Sequence, residues 1–353
     1  MSLTQVAPGM MTSTAQYYSF KNRIINGAMV INQRASGSTV TLDTSQSYSL
    51  VDRYRFVGGF SGFTNTVQQS TNAPAGFTTS LQWSNTAATT FTSGLYNAFW
   101  QNIEGYNVAD LGWGTANAQS VTLSFWVSSG VTGTYGVTFT NGTNAYVGSY
   151  TINAVNTWQY VSITVPGCTT GTWNTSNSTG LTVKWDMGVG TTYTTTAGSW
   201  QTGNIWGLTG GVKFVATNSV SYYITGIQLE VGSSATAFDY RDYGRELMLC
   251  QRYYTQLELT KTLVYATTTT YAQGNYKLPV TMRSAPTATA TTNATNMNQL
   301  YVTNITGTYV PSASCDTDSV WVVATNTGGT AFTANIQYRF NTSGCYLYFS
   351  SEL

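Results

Sequence analysis

The chain contains no histidine in 353 residues. That absence removes Ser-His-Asp and Cys-His nucleophile designs and most metallo-hydrolase ligand sets. Charge is scarce too: 14 Lys and Arg stand against 13 Asp and Glu, 8% of the chain in all, for a net charge of +1. Cations this sparse cannot neutralise a phosphate backbone, which argues against nucleic acid as a partner. No run approaches the ~18 apolar residues of a membrane span. The opening MSLTQVAPGMM lacks the basic start and apolar core of a signal peptide. The four cysteines, Cys168, Cys250, Cys315 and Cys345, form no Cys-x-x-Cys pair, so a zinc ribbon is out. Cys250 reads as a small core residue, while Cys315 and Cys345 either meet across strands as a disulfide or stay apart as thiols. No cofactor and no metal is expected.

What the chain has is 25 Tyr, 14 Phe and 10 Trp amid frequent Gly, Asn, Ser and Thr. Aromatic and β-branched residues favour a pleated, half-buried surface, and the small polar ones favour tight turns. So many aromatics with so little charge also argue against disorder. In SVTLSFWVS (120–128), Val121, Leu123, Phe125 and Val127 face one way while Thr122, Ser124 and Trp126 face the other. Met29 and Ile31 alternate with Val30 and Asn32 after the turn pair Asn26-Gly27, marking a first strand. Further strands are expected at 54–58, 80–83, 135–140, 158–165, 181–185, 211–215 and 222–231. One short helix is expected over 101–113, where Trp100, Ile103, Val108 and Leu111 can share a face. Turn signals every 10–20 residues suit a β-sandwich or jelly roll.

The pattern changes at residues 224–257. Seven charges fall within 23 residues: Glu230, Asp239, Arg241, Asp242, Arg245, Glu246 and Arg252. Tyr243, Leu247, Cys250, Tyr254 and Leu257 then recur at spacings of 4, 3, 4 and 3, one apolar stripe on a helix. Such a helix is too short to stand alone, so the stripe packs either between the two domains or against its own copies. The fold class is therefore all-β: two β-sandwich, jelly-roll-like domains joined by a short α-helix, with a short N-terminal leader. The expected boundaries are a leader over 1–20, a sandwich over 21–240, a helix over 241–257 and a second sandwich over 258–353. Within the second sandwich, strands are expected at 265–266, 277–280, 287–290, 300–302, 320–323, 334–340 and 345–349, and the two prolines of 277–286 suit a sheet edge.

Two stretches carry a family resemblance: NRIINGAMVINQR (22–34) followed by VDRYRF (51–56), and ITGIQLEVGSSATAFDYRDYGRELMLCQRYY (224–254). The combination resembles a family of tailed-bacteriophage virion proteins described as tail fibre or minor structural proteins. LPVTMRSAPTATA (278–290) is similar to the opening of the C-terminal module in many of them. The resemblance implies a jelly-roll domain similar to a carbohydrate-binding module, a homotrimer, and display on the virion as an exposed appendage. The leader would attach the chain to other virion proteins, and the sandwiches would meet the host surface.

Glycan binding is the chemistry that the residues suit. Sugar rings lay apolar C–H faces on aromatic rings, while Asn, Gln and Thr bond the hydroxyls. Residues 166–207 place Trp173, Tyr193, Trp200 and Trp206 among such polar residues, in segments that read as loops. The plainer role for each is to plug the end of a sandwich or a subunit interface, and Tyr301, Tyr309 and Trp321 pose the same choice. A polysaccharide depolymerase would need a carboxylate pair; Glu104, Asp110 and Asp186 are the candidates, and nothing in the sequence brings them together. Asp316 and Asp318 fit a turn better than a Ca²⁺ loop. Asp52 with Arg53 is expected to fix a strand end as an ion pair, and Arg241, Asp242 and Arg245 to pair between subunits. The leading function is host attachment through surface glycans. The alternatives are a structural head fibre, capsid decoration or connector, and the depolymerase.

Overall fold

The computed structural model describes residues 21–353 except 36, 59, 61, 89–90, 292–293, 300–303 and 341–344. The expected leader, the expected strand at 300–302 and Tyr301 lie outside the described residues. The chain divides into two compact units near Tyr243. In chain order the strands of the first unit are β1 (Val40–Thr41), β2 (Tyr54–Val57), β3 (Thr64–Ser70), β4 (Ser80–Ala87), β5 (Tyr96–Glu104), β6 (Val121–Ser129), β7 (Gly133–Thr140), β8 (Asn144–Ile152), β9 (Gln159–Val165), β10 (Thr179–Val189), β11 (Thr194–Thr195), β12 (Trp200–Thr202), β13 (Gly207–Leu208) and β14 (Val220–Val231). Twelve of them form two six-stranded sheets, a first in the order β1-β3-β4-β14-β6-β9 and a second in the order β12-β8-β7-β10-β5-β2, while β11 and β13 pair with each other.

Alternation decides the core. Val121, Leu123, Phe125 and Val127 of β6 point inward and are fully buried, as their spacing predicts. They meet Leu181, Val183, Trp185 and Met187 of β10 from the other sheet. Phe99 stacks on Trp185 at 5.0 Å and 3°, and Phe125 meets Trp185 edge-on at 6.0 Å. Aromatic pairs of this kind add roughly 0.5–1.5 kcal/mol each beyond their buried area.

Residues 22–34 are not the expected strand. Asn26 and Met29 take left-handed backbone angles (φ 60° and 58°), so the segment bends instead of pairing in a ladder. It is nevertheless largely buried, and its backbone groups need partners. Side-chain amides supply them. Asn26 accepts from the Ile31 N–H at 2.9 Å and donates to the Ile31 and Asp52 carbonyls at 2.8 and 3.1 Å. Asn22 accepts from the Ile24 and Leu229 N–H groups and donates to the Ile227 carbonyl at 3.0 Å. Gln101 of β5 brackets Ile25, accepting from its N–H and donating to its carbonyl, each at 2.8 Å. Gly27 is obligatory, since a Cβ there would lie 2.1 Å from the Ile227 carbonyl oxygen. The three sequence blocks 22–34, 51–56 and 224–241 thus converge in one place.

Several charged residues serve this strap. Arg241 donates to the Ile24 and Asn22 carbonyls, so it acts within the subunit where an intersubunit pair was expected. Asp52 holds the Gln33 backbone N–H at 3.0 Å and pairs with Arg34 at 3.5 Å. Arg53 donates to the Asn102 carbonyl at 2.8 Å.

The helix expected over 101–113 is instead the end of β5 followed by two 3-10 turns, Gly105–Asn107 and Ala109–Leu111. β5 is claimed on both sides, by β10 and β2, and ladder pairing overrides the local helical spacing. Trp100 and Ile103 therefore face opposite sides of the sheet.

In the second unit, helix α1 (Tyr243–Gln251) is followed by β15 (Tyr254–Glu258), β16 (Leu263–Ala266), β17 (Tyr271–Lys277), β18 (Thr287–Ala290), β19 (Ala294–Gln299), β20 (Asn304–Cys315), β21 (Ser319–Gly329), β22 (Gln337–Phe340) and β23 (Tyr346–Ser350). β15, β23 and β18 form a three-stranded sheet, and β16-β17-β21-β20-β19-β22 close into a barrel. The all-β class stands, but in this unit strands close where an open sandwich was expected. Val264, Ala272, Val320, Val322, Tyr338 and Phe340 fill its core. The helix stops six residues short of the expected Leu257, because Tyr254–Glu258 pairs with β23 along its whole length. None of the four cysteines is in a disulfide, and Asp316 and Asp318 lie in the turn between β20 and β21.

Replacing Asn26 tests the strap. Asn26→Ala should cost roughly 3 kcal/mol in chemical denaturation, because buried backbone groups lose their partners. Asn26→Gly relieves the left-handed angle but not those losses, and should recover only about 1 kcal/mol of it. A loss below about 1 kcal/mol in both would mean that water replaces the amide.

Candidate functional site

The four aromatics singled out in the sequence fall into two clusters. Trp173 lies between β9 and β10, and Trp200 opens β12 at the edge of the second sheet. Both pack on Trp113, with ring centroids 4.7 and 5.3 Å away, and are 5.6 Å from each other. All three contacts are edge-to-face, and Tyr146 of β8 flanks Trp200 at 5.5 Å. Each indole N–H is spent on a backbone carbonyl: Trp113 on Gln119, Trp173 on Thr170 and Trp200 on Pro166. The rings are therefore fixed in orientation. Trp173 and Trp200 stay half-exposed while Trp113 is buried.

Polar loops frame this rim. Asn141 of the β7–β8 hairpin donates to the Thr172 carbonyl at 2.9 Å, and Asn144 donates to the Thr170 hydroxyl at 3.2 Å. A cavity of about 10 Å³ lies beside the rings, lined by Val108, Leu111, Trp113, Trp173 and Asn174 among others. It holds one water at most, so a sugar would have to lie on the outer ring faces. Trp113 and Tyr146 escaped the sequence reading. Trp113 sits in what reads as a helical period, and only the strand pairing of β8 with β12 brings Tyr146 to Trp200.

Tyr193 and Trp206 serve differently. They pack with Tyr96 (5.5 and 4.9 Å from its ring) on the outer face of the second sheet. Trp206 also meets Trp100 edge-on at 5.4 Å, and the Lys184 ammonium sits 3.7 Å from its ring centroid. Burial pulls Lys184 down to about 8, and the cation–π contact keeps its charge in company. Trp206 is only 8% exposed, so its ring is committed to packing.

The segment carrying them, residues 190–211, lies over that face and is fastened by Asp186. Its carboxylate accepts from the Gly188 and Leu208 N–H groups at 2.9 and 3.1 Å. A Cβ at Gly207 would lie 2.1 Å from Asp186 Oδ2, and one at Gly136 would lie 2.8 Å from Leu208 Cβ, so the approach needs both glycines. Lys213 donates to the Val189 carbonyl nearby. Full burial pushes the Asp186 carboxyl up to about 7, against the pull of Lys213 and the N–H donors.

Asp186 and Glu104 do not form a pair. Asp186 stands opposite Ala98 and Thr179 opposite Glu104, which places Asp186 and Glu104 about 20 Å apart along β5. Glycoside hydrolysis needs roughly 5–10 Å. Asp110 is held by Arg23 in a bidentate pair at 2.7 and 3.0 Å.

The residues expected to form an interface also separate. Tyr243, Leu247 and Cys250 lie on α1, while Tyr254 and Leu257 lie on β15. Tyr243 is 63% exposed and Cys250 fully buried, so the five do not make one stripe.

Asp186 gives the site a pH signature. An unfolded carboxyl titrates near 3.8 and the folded one near 7, so the folded state binds the proton more tightly. Its contribution to stability is present at acidic pH and fades as pH rises through about 7. Asp186→Asn lacks this titration. Melting curves should show wild type losing stability relative to the variant between about pH 5 and pH 8; a constant difference would mean that the carboxyl is ionised throughout.

No family model matches the chain, and no curated protein matches it in sequence. Solved structures do. The enzymatically active domain of tailspike protein 4 from bacteriophage CBA120 aligns over 60% of this chain at 14% identity and a TM-score of 0.30, and the chain spans 21% of that domain's length. A putative sugar binding protein from Bacteroides thetaiotaomicron aligns over 60% of this chain and 100% of its own, at 10% identity and a TM-score of 0.35. A family 11 carbohydrate-binding module from Clostridium thermocellum, in complex with a mixed-linked tetrasaccharide, covers 57% of this chain and 100% of its own, at 12% identity and a TM-score of 0.29. At these identities and scores the matches say nothing of what this chain binds.

Proposed function

We propose that this protein is a non-catalytic virion protein of a tailed bacteriophage, a tail fibre or receptor-binding appendage that holds the host through surface glycans. The observation that carries the glycan reading is the rim of Trp173 and Trp200. Their orientation is fixed by indole bonds to backbone carbonyls, their faces are half-exposed, and Asn and Thr side chains surround them. Rings held in place before the ligand arrives lose little entropy on binding. The virion setting draws on the resemblance of blocks 22–34, 51–56 and 224–254. The non-catalytic reading draws on the distance between Asp186 and Glu104.

Weak contacts of this kind gain from copy number, and a homotrimer supplies it. The stripe of α1 offers copies less apolar surface than expected. The barrel wall of the second unit offers more, since Leu263, Tyr265, Tyr271 and Trp321 are 41–43% exposed there. That wall also favours a second reading, a head fibre, capsid decoration or connector that meets other virion proteins.

A glycan array with the purified protein and a host-cell binding assay test the main reading. Trp173→Ala with Trp200→Ala should weaken glycan binding about tenfold or more, while Tyr193→Ala should chiefly lower stability. Blank results in both assays for the folded wild-type protein would leave only the structural reading.

A further inference from the structure

The outer face of the first sheet carries aromatic and amide chemistry that the rim does not use. Inward side chains of β3, β4, β14, β6 and β9 fill the core, and the alternate ones face out. Trp126 on β6 stands opposite Tyr160 on β9, with ring centroids 5.5 Å apart. Tyr223 on β14 stands opposite Gln82 on β4, and Gln82 opposite Gln68 on β3. Trp158, just ahead of β9, brings its ring to 6.2 Å from that of Tyr223. Tyr160 is 47% exposed, and Trp126, Trp158 and Tyr223 are half-buried.

Beside the rings runs a directed chain of hydrogen bonds. The Thr39 hydroxyl donates to Gln68 Oε1 at 2.7 Å, and Gln68 Nε2 donates to Gln82 Oε1 at 2.6 Å. Gln82 Nε2 then donates to the Ser84 and Ser221 hydroxyls at 2.9 and 3.2 Å, and those two hydroxyls are 2.9 Å apart. Both amides are thereby fixed against flipping. One N–H of Gln68 and one hydroxyl hydrogen of the serine pair are left over.

The aromatic donors are unspent as well. Among the described residues, the Trp126 indole N–H and the Tyr160 and Tyr223 hydroxyls have no hydrogen-bond partner. This differs from Trp113, Trp173, Trp200 and Trp206, whose N–H groups are all used internally. Thr225, opposite Trp126, is fully buried and its hydroxyl also lacks a partner. Among the strand residues on this side, Glu230, opposite Thr122, carries charge, but it is buried and accepts from the Thr236 N–H and hydroxyl.

We infer that this face binds an uncharged polysaccharide laid across the strands, with sugar C–H faces on Trp126, Tyr160 and Tyr223 and sugar hydroxyls on the Gln68–Gln82–Ser84–Ser221 relay. The inference rests on the glycan-binding reading and adds a second site and a ligand class. With no cation exposed on it, the face gives no reward to a carboxylate or sulfate on the ligand. Strands repeat every ~4.8 Å, so contacts recur across the sheet and suit an extended, repeating chain over a single sugar. A protein surface covering the face would bury the leftover donors, which costs stability unless each is matched. A sugar hydroxyl both donates and accepts, and joins the relay at either end.

The test is affinity electrophoresis and calorimetry of the full chain with neutral dextran, mannan and mixed-linked glucan, beside acidic alginate. At least one neutral polymer should bind. Trp126→Ala with Tyr160→Ala, and separately Gln82→Leu, should weaken that binding tenfold or more. Melting curves are read first, and Tyr160→Ala alone serves if the double variant unfolds. Binding lost only in the Trp173 and Trp200 variant would overturn this site and leave the proposed function standing. Binding of alginate alone would overturn the ligand class. A change in oligomeric state without a change in polysaccharide binding would make the face a subunit contact, and no binding of any glycan would remove both proposals.

Discussion

The first unit depends on satisfying a buried backbone that has no ladder. Residues 22–33 run under the sandwich without pairing as a strand, and each buried N–H or carbonyl left open there would cost about 1–3 kcal/mol. Asn22, Asn26, Gln101 and Asp52 meet those groups with side chains of fixed shape. A side chain of another length cannot bracket both the N–H and the carbonyl of one residue, as Gln101 does for Ile25. β14, β5 and the turn before β2 are positioned relative to one another through this strap, and the two sheets carry their surfaces on that frame.

The faces of the sandwich are treated differently. The outer side of the second sheet is filled by the chain's own residues 190–211, with Trp206 over Lys184 and Leu208 against Gly136. The outer side of the first sheet keeps aromatic rings and oriented amides in reach of solvent. Burying Asp186 to fasten the covering segment is costly, as its raised proton affinity records. Aromatic rings thus remain in reach of solvent at the rim and on the first sheet.

Much of this was legible in the residues, and the losses have physical reasons. The alternation of β6 stated both which side chains enter the core and that Trp126 faces out. Block 224–254 stands out by its charge and period and block 22–34 by resemblance, but their meeting in space is a long-range contact that no local pattern encodes. The period over Tyr243–Leu257 suggested one helix; β23, almost a hundred residues later, takes Tyr254–Glu258 into a sheet. Trp173, Tyr193, Trp200 and Trp206 read alike in sequence as aromatics in polar loops, yet Trp206 is buried and Trp173 and Trp200 are half-exposed. The difference lies in Gly207 and Asp186, which allow close approach, and glycine's meaning is set by what it touches.

The strap also ties the beginning of the unit to its end. Asn22 and Gly27 are held by Leu229 and Ile227 of β14, and Arg241 closes over Asn22 and Ile24. β14 is itself the central strand of the first sheet, between β4 and β6. During synthesis, neither the centre of that sheet nor the strap can form until the last strand has left the ribosome. Contacts so distant in sequence are slow to find, and until then the nascent chain exposes the edges of β4 and β6, which are open to pairing with neighbouring chains. Folding of the first unit is thus paced by how quickly β14 reaches its place.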